Sequence, residues 1–510
     1  MKKKLVCILT AMAMVLSLAA CGGKEKSSEG GSKKADHDTL TVAVSTEPAA
    51  LIPYESNDTG TAYICSQIYE KLLTTDVDMN LQPGLAESWE VIDDTHYRFK
   101  LRDDVYFHNG EKLTAEDVLY SFEKCVESSA TASTIGPVDI ANSKAEDDNT
   151  VVLALSNPYP AFLNCCAIDI SGIVCKSAME ADPEGYAEHP IGTGPFKFVE
   201  WASGDYIKME ANDKWWGGSL NFKTLMLRYI PEATTRAVEV QSGGVDVAQI
   251  TVAEIETIEK EKDVTVLTQP ILNTSYVSFN CSVEPFNNVK VRQAISLAID
   301  SDAIVKAANY GLAETAKSFL PPMMEGYYEA DSEYQGYDVE KAKELLAEAG
   351  YPSGFSCTLI SNARQAEAEM IQAYLSEIGI DVKLNITDFS NWLDALINGK
   401  QEMYIGGWTI PSGDMSEAFA AFDSDEFGSG GNRSYYANEE ADALIDVINT
   451  EMNKDVRNKA GEDLQKLLAD ECVTIGLNVG SRFYAYRNNV SGLVILPTQS
   501  PDFTKIEFTE

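Results

Sequence analysis

The four histidines of this 510-residue chain are candidates for chemistry, because histidine serves in acid–base catalysis, nucleophile activation and metal binding. His108, in the segment Phe-His-Asn-Gly, has no histidine, cysteine or carboxylate at ligand spacing, so we predict a structural role for it. Gly192 and Gly194 are similar to the opening of a dinucleotide-binding loop, but Lys197 stands where the third glycine is required. The pattern Gly-x-Ser-x-Gly is absent. The sequence therefore predicts a protein that is not an enzyme and has no cofactor.

Cysteine is the second residue type that could bind a metal or form covalent links. Besides Cys7 and Cys21 the chain has eight cysteines, and no Cys-x-x-Cys pair occurs among them. Cys165, Cys166 and Cys175 are close in sequence but have no histidine at ligand spacing, so no metal site is predicted. An even number permits disulfides in an exported protein, whereas buried free thiols would suit a reducing habitat. The sequence leaves both open.

Cys21 has a different predicted role because of its N-terminal surroundings. Lysines occupy positions 2–4, and an apolar stretch at 5–20 ends in Leu-Ala-Ala directly before Cys21. This arrangement looks like a lipobox and predicts a signal peptide at 1–20 with lipidation of Cys21. The polar segment 21–38 is predicted to be a disordered tether. The expected location is the outer face of the cytoplasmic membrane, at the cell surface or in a periplasm. An ordinary signal peptide, cut elsewhere, is the alternative.

The composition is strongly acidic, with 79 aspartates and glutamates against 40 lysines and arginines and a net charge of −39. This charge repels phosphate backbones, so nucleic acid is not an expected partner. Hydrophobic residues make up 45% of the chain, which is enough for large cores. The length exceeds what one core organises and predicts two or three domains.

Helical and strand patterns both appear along the chain. Apolar residues alternate at 40–44 and 97–101, which predicts strands, and Thr114 begins a helix with an apolar face. Asp338 is placed to cap another helix, and a further helix leads into the alternating strand 380–386. This helix–turn–strand order favours α/β lobes.

Short blocks of residues recur in order along the chain: 47–53, 68–73, 84–90, 107–110, 113–118, 192–196, 243–247, 279–280, 291–295, 337–342, 406–408 and Tyr435. Together these blocks resemble the extracytoplasmic solute-binding proteins of family 5. That group contains the dipeptide-, oligopeptide- and nickel-binding receptors of ABC importers. The resemblance spans nearly the whole chain after the predicted signal peptide and tether.

The resemblance implies an α/β fold of the periplasmic-binding-protein type. It consists of two lobes around a ligand cleft, joined by hinge strands, with an extra subdomain in the N-terminal lobe. Hinge strands are expected near 279–281 and 477–480. The predicted parts are lobe I at 39–67, 191–279 and 480–510, the extra subdomain at 68–190, and lobe II at 280–479.

In that family, a strand around a Gly-Trp pair holds an extended peptide backbone by β-type hydrogen bonds. The matching residues here are Gly406, Gly407 and Trp408, followed by Thr409. Core packing is the alternative role for Trp408. Because glycines precede it and a polar, turn-rich segment follows, we expect it to line the cleft.

The segment after this tryptophan departs from the family pattern. Peptide-binding members commonly carry an aspartate three positions later, where it pairs with the α-ammonium of the peptide, and this chain has Pro411 there. We expect either that Asp414 contacts the ligand instead or that the ligand has no free amine at this point. The alternative role of Asp414 is to cap a helix that begins near Ser416.

Three further residues are predicted ligand contacts. Asn57 and Thr59 precede a helix in a region that lines the ligand site in the resembling family. Arg433 is a candidate because a guanidinium can bind a carboxylate in a bidentate pair, although a solvated loop residue is the alternative. The pair Trp215 and Trp216 suggests sugar stacking, but relatives also have an aromatic pair there, so a core or lobe-surface role is expected.

We therefore predict a lipid-anchored, monomeric receptor of an ABC importer that captures oligopeptides or dipeptides and delivers them to the membrane permease. The alternatives in the same fold are oligosaccharides, metal chelates and signalling peptides that are sensed without import. Nickel is disfavoured by the few histidines. A secreted hydrolase would need a nucleophile–base pair, and a surface adhesin would not need hinge-linked lobes.

Overall fold

The computed structural model describes residues 38–509. The predicted signal peptide, the lipidation site Cys21 and the predicted tether up to residue 37 lie outside the described residues. Asp38, the last residue of the predicted tether, already accepts backbone hydrogen bonds from Lys223 and Thr224. Within the described range, no helix combines the length and apolar character that a membrane span requires.

Strands and helices alternate along the described chain. The strands are β1 (Thr39–Val44), β2 (Leu73–Thr75), β3 (Leu81–Pro83), β4 (Ala86–Asp93), β5 (His96–Leu101), β6 (Val138–Asp147), β7 (Thr150–Leu155), β8 (Phe196–Ala202), β9 (Tyr206–Ala211), β10 (Thr224–Tyr229), β11 (Val247–Ile250), β12 (Val264–Phe279), β13 (Ser356–Asn362), β14 (Asp381–Thr387), β15 (Met403–Thr409), β16 (Thr474–Arg487), β17 (Val490–Ser491), β18 (Val494–Ile495), β19 (Pro501–Asp502) and β20 (Glu507–Phe508). The α-helices are α1 (Thr59–Ile68), α2 (Ala115–Glu127), α3 (Ala132–Ile135), α4 (Phe162–Cys165), α5 (Lys176–Ala181), α6 (Pro183–Glu188), α7 (Ala233–Ser242), α8 (Val252–Ile258), α9 (Val289–Ala298), α10 (Ser301–Ala308), α11 (Val339–Glu348), α12 (Gln365–Ser376), α13 (Phe389–Ile397), α14 (Met415–Phe419), α15 (Glu439–Thr450) and α16 (Lys454–Asp470).

The local patterns in the sequence account for several of these elements. The strands predicted at 40–44 and 97–101 are confirmed as β1 and β5. Helix α2 begins after Thr114, whose backbone N–H and hydroxyl both donate to the Asp117 carboxylate at 2.9 and 2.7 Å. Asp338 caps α11 by accepting a hydrogen bond from the N–H of Lys341 at 3.0 Å. These contacts satisfy polar groups that a helix start otherwise leaves unpaired.

A mixed sheet of ten strands forms the centre of the described fold, in the order β14-β13-β15-β12-β16-β11-β1-β10-β9-β8. Strand β1 is parallel to β10 and β11, and β13 is parallel to β14 and β15. The two long strands β12 and β16, of 16 and 14 residues, pair antiparallel along most of their lengths. The fold is therefore mixed α/β, as predicted.

Strands β12 and β16 run between two sets of hydrophobic cores. Val264 of β12 and Phe483 of β16 pack in a core together with residues of the N-terminal part of the sheet. Leu272 of β12 and Leu477 of β16 pack in cores whose buried members all come from residues 272–477. Both strands thus connect one set of cores to the other.

The positions of this change of core differ in part from the predicted hinges. Along β16, the change from one set of cores to the other falls between Leu477 and Phe483, close to the hinge predicted at 477–480. The hinge predicted at 279–281 instead lies inside the second set of cores, because β12 continues as one strand through Phe279. The pairing of β12 with β16 is irregular between Pro270 and Thr274, which places the first change of core in that stretch.

A separate antiparallel sheet, β4-β5-β7-β6, lies wholly within the predicted extra subdomain at 68–190. Helix α2 packs its buried Phe122 into the core that also contains Phe99 and Leu153 of this sheet. The same core includes Leu40 of β1. The subdomain is thus packed onto the large sheet through one continuous core.

The eight cysteines of the described chain are all free. Burial raises the pKa of each thiol, for example that of Cys281 to about 11 and that of Cys357 to about 12. Cys165 and Cys166, adjacent in sequence, are both buried. Of the two possibilities that the sequence leaves open, the described residues show free thiols.

Candidate functional site

Strand β15 contains the predicted ligand-binding residues 406–409. Along one edge it pairs with β12 over its full length. Along the other edge, β13 pairs only with Met403 and Tyr404. Residues 406–409 therefore have one edge without a strand partner in the described part of the chain, which we call the open edge. Such an edge offers backbone donors and acceptors to an added strand.

The two glycines of the open edge leave space for neighbouring side chains. A β-carbon on Gly406 would lie 3.0 Å from Cε2 of Tyr404 and 3.3 Å from Cε2 of Tyr276. A β-carbon on Gly407 would lie 3.5 Å from Nη2 of Arg364. Glycine at 407 thus keeps the space beside the Arg364 guanidinium empty.

Arg433 lies beside the same strand. Its Cζ is 5.3 Å from the ring centroid of Trp408, within the range of cation–π attraction. Nε of Arg433 and Nε1 of Trp408 are both buried, and neither has a hydrogen-bond partner among residues 38–509. Because buried polar groups are normally paired, these two donors point to a partner that the chain itself does not supply.

A third guanidinium approaches from β16. Nε of Arg482 donates to Oε1 of Gln499 at 2.8 Å. Burial lowers the pKa of both Arg364 and Arg482. Neither these two arginines nor Arg433 forms an ion pair with a carboxylate within the described chain. In contrast, the buried Arg236 donates to the backbone carbonyls of residues 230 and 231, each at 2.7 Å.

A cavity lies at the end of the open edge, where Thr409 and Pro411 form part of its wall. The predicted contacts Asn57 and Thr59 line it as well, at the start of α1. The wall brings together segments that are far apart in sequence. Its lining residues are Asn57, Asp58, Thr59, Ala62, Tyr63, Thr134, Ala167, Ile168, Asp169, Ile170, Thr409, Pro411, Thr498, Gln499 and Ser500.

Two carboxylates line this cavity. Asp169 forms an ion pair with Lys71, with Nζ to Oδ1 at 2.5 Å, and accepts a hydrogen bond from the Ser500 hydroxyl. Asp58 caps α1 and accepts hydrogen bonds from the N–H of Thr61 at 2.9 Å and from the Ser56 hydroxyl at 2.6 Å. Burial raises the pKa of Asp58, but these hydrogen bonds outweigh it and the net pKa is lowered. Asp58 is therefore an ionised acid without a paired cation.

Asp414 has partners within the protein. It caps α14 by accepting from the N–H of Ser416 at 2.8 Å, which confirms the alternative role predicted from the sequence. Its two oxygens also bind the two terminal nitrogens of Arg457, the Nη1–Oδ2 distance being 3.0 Å. The side chains are 8% and 11% exposed, respectively. The Asp414 carboxylate is thus occupied by groups of the protein, and its predicted contact with a ligand stays a prediction.

The loop between Trp408 and α14 is held from two sides. The Glu417 carboxylate accepts from the N–H and the hydroxyl of Ser412 at 3.0 and 2.6 Å. Nδ2 of Asn164, in the predicted extra subdomain, donates to the Ser412 carbonyl at 3.0 Å. Burial raises the pKa of Glu417 to about 7. Asn164 and Ser412, 248 residues apart, thus connect the predicted lobes beside the cavity.

His108 and the tryptophan pair lie in structural positions. Nε2 of His108 lies 3.0 Å from the carbonyl of Gly194, and burial lowers the pKa of this imidazole to about 4, so it is neutral at pH 7. The indole N–H groups of Trp215 and Trp216 both donate to the Glu70 carboxylate at 2.9 Å. No group of three or more histidine, cysteine or acidic residues within 38–509 could hold a metal ion.

The structure therefore brings most predicted contacts to one region. Asn57, Thr59 and Thr409 line the cavity, and Arg433 packs against Trp408. Asp414 does not belong to this group. Sequence reasoning missed Arg364, Arg482, Asp169 and Gln499, and no local motif marks them, because only the tertiary fold places them beside the open edge and the cavity.

Comparisons with known proteins agree with this architecture. The family model described as bacterial extracellular solute-binding proteins, family 5 Middle, matches residues 80–430. Heme-binding protein A of Haemophilus influenzae is 30% identical over 540 residues, covering 97% of both chains. The dipeptide-binding protein of Escherichia coli is 30% identical over 515 residues, covering 92% of this chain and 96% of the relative.

Solved structures show the same fold. The substrate-binding protein CtaP of Listeria monocytogenes superposes with a TM-score of 0.85 at 26% identity, covering 93% of this chain and all of that chain. HbpA2 of Haemophilus parasuis gives 0.83 at 27% identity, covering 92% of this chain and all of that chain. The fold and these comparisons together define an extracellular solute-binding protein of the kind that works with ABC transporters. The chain belongs to the bacterial extracellular solute-binding proteins of family 5.

Proposed function

We propose that this protein is the lipid-anchored receptor of an ABC importer that captures short peptides and delivers them to the membrane permease. The observation that carries the proposal is the open edge at residues 406–409, next to the unpaired guanidiniums of Arg364 and Arg433. An extended peptide adds to such an edge through backbone hydrogen bonds. A guanidinium beside it binds the C-terminal carboxylate in a bidentate pair.

The adjacent cavity offers further contacts to a ligand that lies on the open edge. Polar residues such as Asn57, Thr59 and Gln499 line the cavity. Such a wall accepts different ligand side chains through bridging water.

The names of the relatives support a peptide as the ligand but do not identify which peptide. One relative is a dipeptide-binding protein, and another, 28% identical over 478 residues, is the glutathione-binding protein of Shigella flexneri. Heme-binding protein A is as similar as the dipeptide-binding relative. The open edge favours the peptide over heme, because a porphyrin has no backbone groups to pair with a strand.

Ligand binding would favour a closed arrangement of the two predicted lobes. A ligand on the open edge that also reaches Asn57 and Thr59 contacts both sides of the cleft at once. It therefore stabilises the closed state by its differential affinity. Asn164 and Ser412 add a direct contact across the same gap. The irregular pairing of β12 with β16 near Pro270 gives the connecting strands a place to bend.

The anchor is a separate part of the proposal. It rests on the lysines at 2–4, the apolar stretch at 5–20 and Cys21. We expect the full chain to partition into the detergent phase of Triton X-114 after expression in a bacterium that processes lipoproteins, and Cys21→Ser to partition into the aqueous phase. Equal partitioning of the two proteins would contradict lipidation at Cys21.

The ligand is tested on the soluble form that lacks residues 1–21. Native mass spectrometry, followed by denaturation, identifies any small molecule carried through purification, and calorimetry then measures the affinity of short peptides. We expect Arg433→Gln and Arg364→Gln each to weaken peptide binding at least tenfold. Arg98→Gln is the matched control, because Arg98 lies on the surface of the subdomain sheet and pairs with Glu90. A carried sugar or metal chelate, with no peptide bound, would contradict the peptide proposal.

A further inference from the structure

Three arginines at the cleft lack acidic partners in a chain that is rich in acids. Arg364 and Arg433 flank the open edge, and Arg482 reaches the cavity through Gln499. None of them pairs with a carboxylate within the described residues, although the sequence has 79 acidic residues. Even the half-exposed Arg98 has carboxylate partners. The buried Arg236, outside this region, also has no ion pair, but backbone carbonyls accept hydrogen bonds from its guanidinium.

The acids near the cleft do not compensate these guanidiniums. Asp169 is neutralised by Lys71, and Asp414 is neutralised by Arg457. Of the two carboxylates that line the cavity, Asp58 alone has no paired cation. The three guanidiniums therefore outnumber the one unpaired carboxylate that lines the cavity, and Glu367 acts on Arg364 only through space.

A buried or half-buried charge without a partner is unfavourable, so a ligand that supplies the missing charges gains affinity. One C-terminal carboxylate can pair with only part of this cluster. We infer that the natural ligand is an acidic peptide or peptide-like acid with at least two carboxylates and a net negative charge. This inference rests on the proposed function and narrows it to one class of solute.

The absence of an amine-binding acid at the strand end fits the same class. Pro411 occupies the position where a carboxylate would meet an ammonium, and Asp414 is occupied by Arg457 and the start of α14. Asp58 is the one unpaired carboxylate among the residues that line the cavity, so a single ammonium of the ligand can be matched there. The guanidiniums match additional acids on the ligand.

The test compares peptides that differ only in charge. The probes are Ala-Ala-Ala, the three tripeptides with a single glutamate in place of one alanine, Glu-Ala-Glu and Lys-Ala-Lys, measured by calorimetry at one salt concentration. We expect at least one glutamate peptide to bind tenfold or more tightly than Ala-Ala-Ala, and Lys-Ala-Lys to bind most weakly. Equal or tighter binding of Ala-Ala-Ala or Lys-Ala-Lys would overturn the inference and leave the peptide proposal standing.

Variants then assign the effect to the guanidiniums. Arg482→Gln and Arg364→Gln are expected to remove most of the glutamate advantage, and Arg482→Lys to restore part of it. Arg98→Gln is the control and is expected to change nothing. Melting temperatures with no ligand verify that each variant is folded. An unchanged glutamate advantage in both glutamine variants would overturn the role of the arginines.

If no peptide binds, the proposed function fails. The inference about ligand charge is then tested by the molecule that native mass spectrometry finds bound to the purified protein. A carried molecule with two or more acid groups would retain it, whereas a neutral or cationic molecule would overturn it.

Discussion

The pairing of Asp414 with Arg457 gives a sharp test of how the loop after Trp408 is built. The two side chains are only 8% and 11% exposed, and Arg457 also donates to the carbonyl of Ile448 and the hydroxyl of Ser416, both at 2.7 Å. Replacing Arg457 by methionine keeps much of its volume but leaves the Asp414 charge buried and unpaired. The expected loss is about 3–5 kcal/mol, typical of a buried pair with one partner removed.

This loss is measurable as a change in melting temperature. For a cooperative unit of roughly 150–250 residues each kcal/mol corresponds to about 2–4 °C, so Arg457→Met should lower the Tm by about 6–20 °C. Asp414→Asn should also lower it, because it leaves the guanidinium unpaired. The double variant should recover most of the loss, since an uncharged pair of similar size is often tolerated in place of a buried ion pair. Differential scanning calorimetry of the three variants measures these differences.

The binding measurement on the same variants separates structure from recognition. We expect Asp414→Asn to bind Ala-Ala-Ala with the affinity of the unmodified protein, because Asp414 caps α14 and holds Arg457 within the fold. A variant Asp414→Asn with a Tm within about 2 °C of the parent and a tenfold weaker affinity for the free-amine peptide would refute this reasoning. It would show that Asp414 binds the ligand amine.

Three further outcomes follow from contacts near the cleft. The pKa of Glu417 is raised to about 7 from its ordinary value near 4.5, so between these pH values the folded state binds a proton that the unfolded state has lost. The protein therefore loses stability as the pH rises through this range. Calorimetry from pH 5 to pH 8 should show a smaller fall in Tm for Glu417→Gln than for the parent, and an equal fall would contradict the raised pKa. Asn164→Ala removes the hydrogen bond to Ser412 and is expected to weaken ligand binding about two- to tenfold, as for a lost contact of about 0.5–1.5 kcal/mol. Its ligand-free Tm should stay unchanged, and a lower Tm with unaltered affinity would assign the bond to folding alone. Gly192→Ala would place a β-carbon 1.9 Å from the Ile68 carbonyl oxygen, where the backbone leaves no room, so the free energy of unfolding should fall by about 1–3 kcal/mol; unchanged urea denaturation would contradict the close approach.

Much of the fold could be predicted because it depends on short-range patterns. Thr114 and Asp117 are three residues apart, and the N–H and hydroxyl of Thr114 donate to the Asp117 carboxylate at the start of α2. Asp338 likewise caps the helix that follows it directly. Gly379, with a φ of +83°, ends the segment after α12 in a backbone conformation that favours glycine. Such signals need no knowledge of the tertiary structure.

The composition of the site could be predicted only in part. The stretch 406–409 has a distinctive local pattern, but the role of Asp414 depends on Arg457, which is 43 residues away in sequence. Arg364 and Arg482 lie at the cleft because α12 and β16 are packed there, and neither residue belongs to a motif. The choice between ligand contact and helix cap at Asp414 therefore required the fold.

The position along β12 at which the strand passes from one set of cores to the other could not be predicted from the sequence either. Pro270 falls inside the strand and marks an irregularity, but the sequence does not say on which core each half of β12 packs. The hinge at 279–281 is predicted from the resemblance, as the place where the later lobe is entered. A hinge in this fold is set by the cores on which the two halves of a strand pack, and those cores are assembled from distant segments.

The free thiols of the described chain have a consequence for redox chemistry. The thiolate is the form that reacts with disulfides, oxidants and labelling reagents, and burial keeps all eight described cysteines protonated at pH 7. The described fold is held together without any disulfide, so after export it needs no oxidase to mature and loses nothing where oxygen is absent. A cysteine introduced on the surface of residues 38–509 would react far faster than the native thiols there. A single fluorophore on either side of the cleft could then report ligand-induced closure in real time.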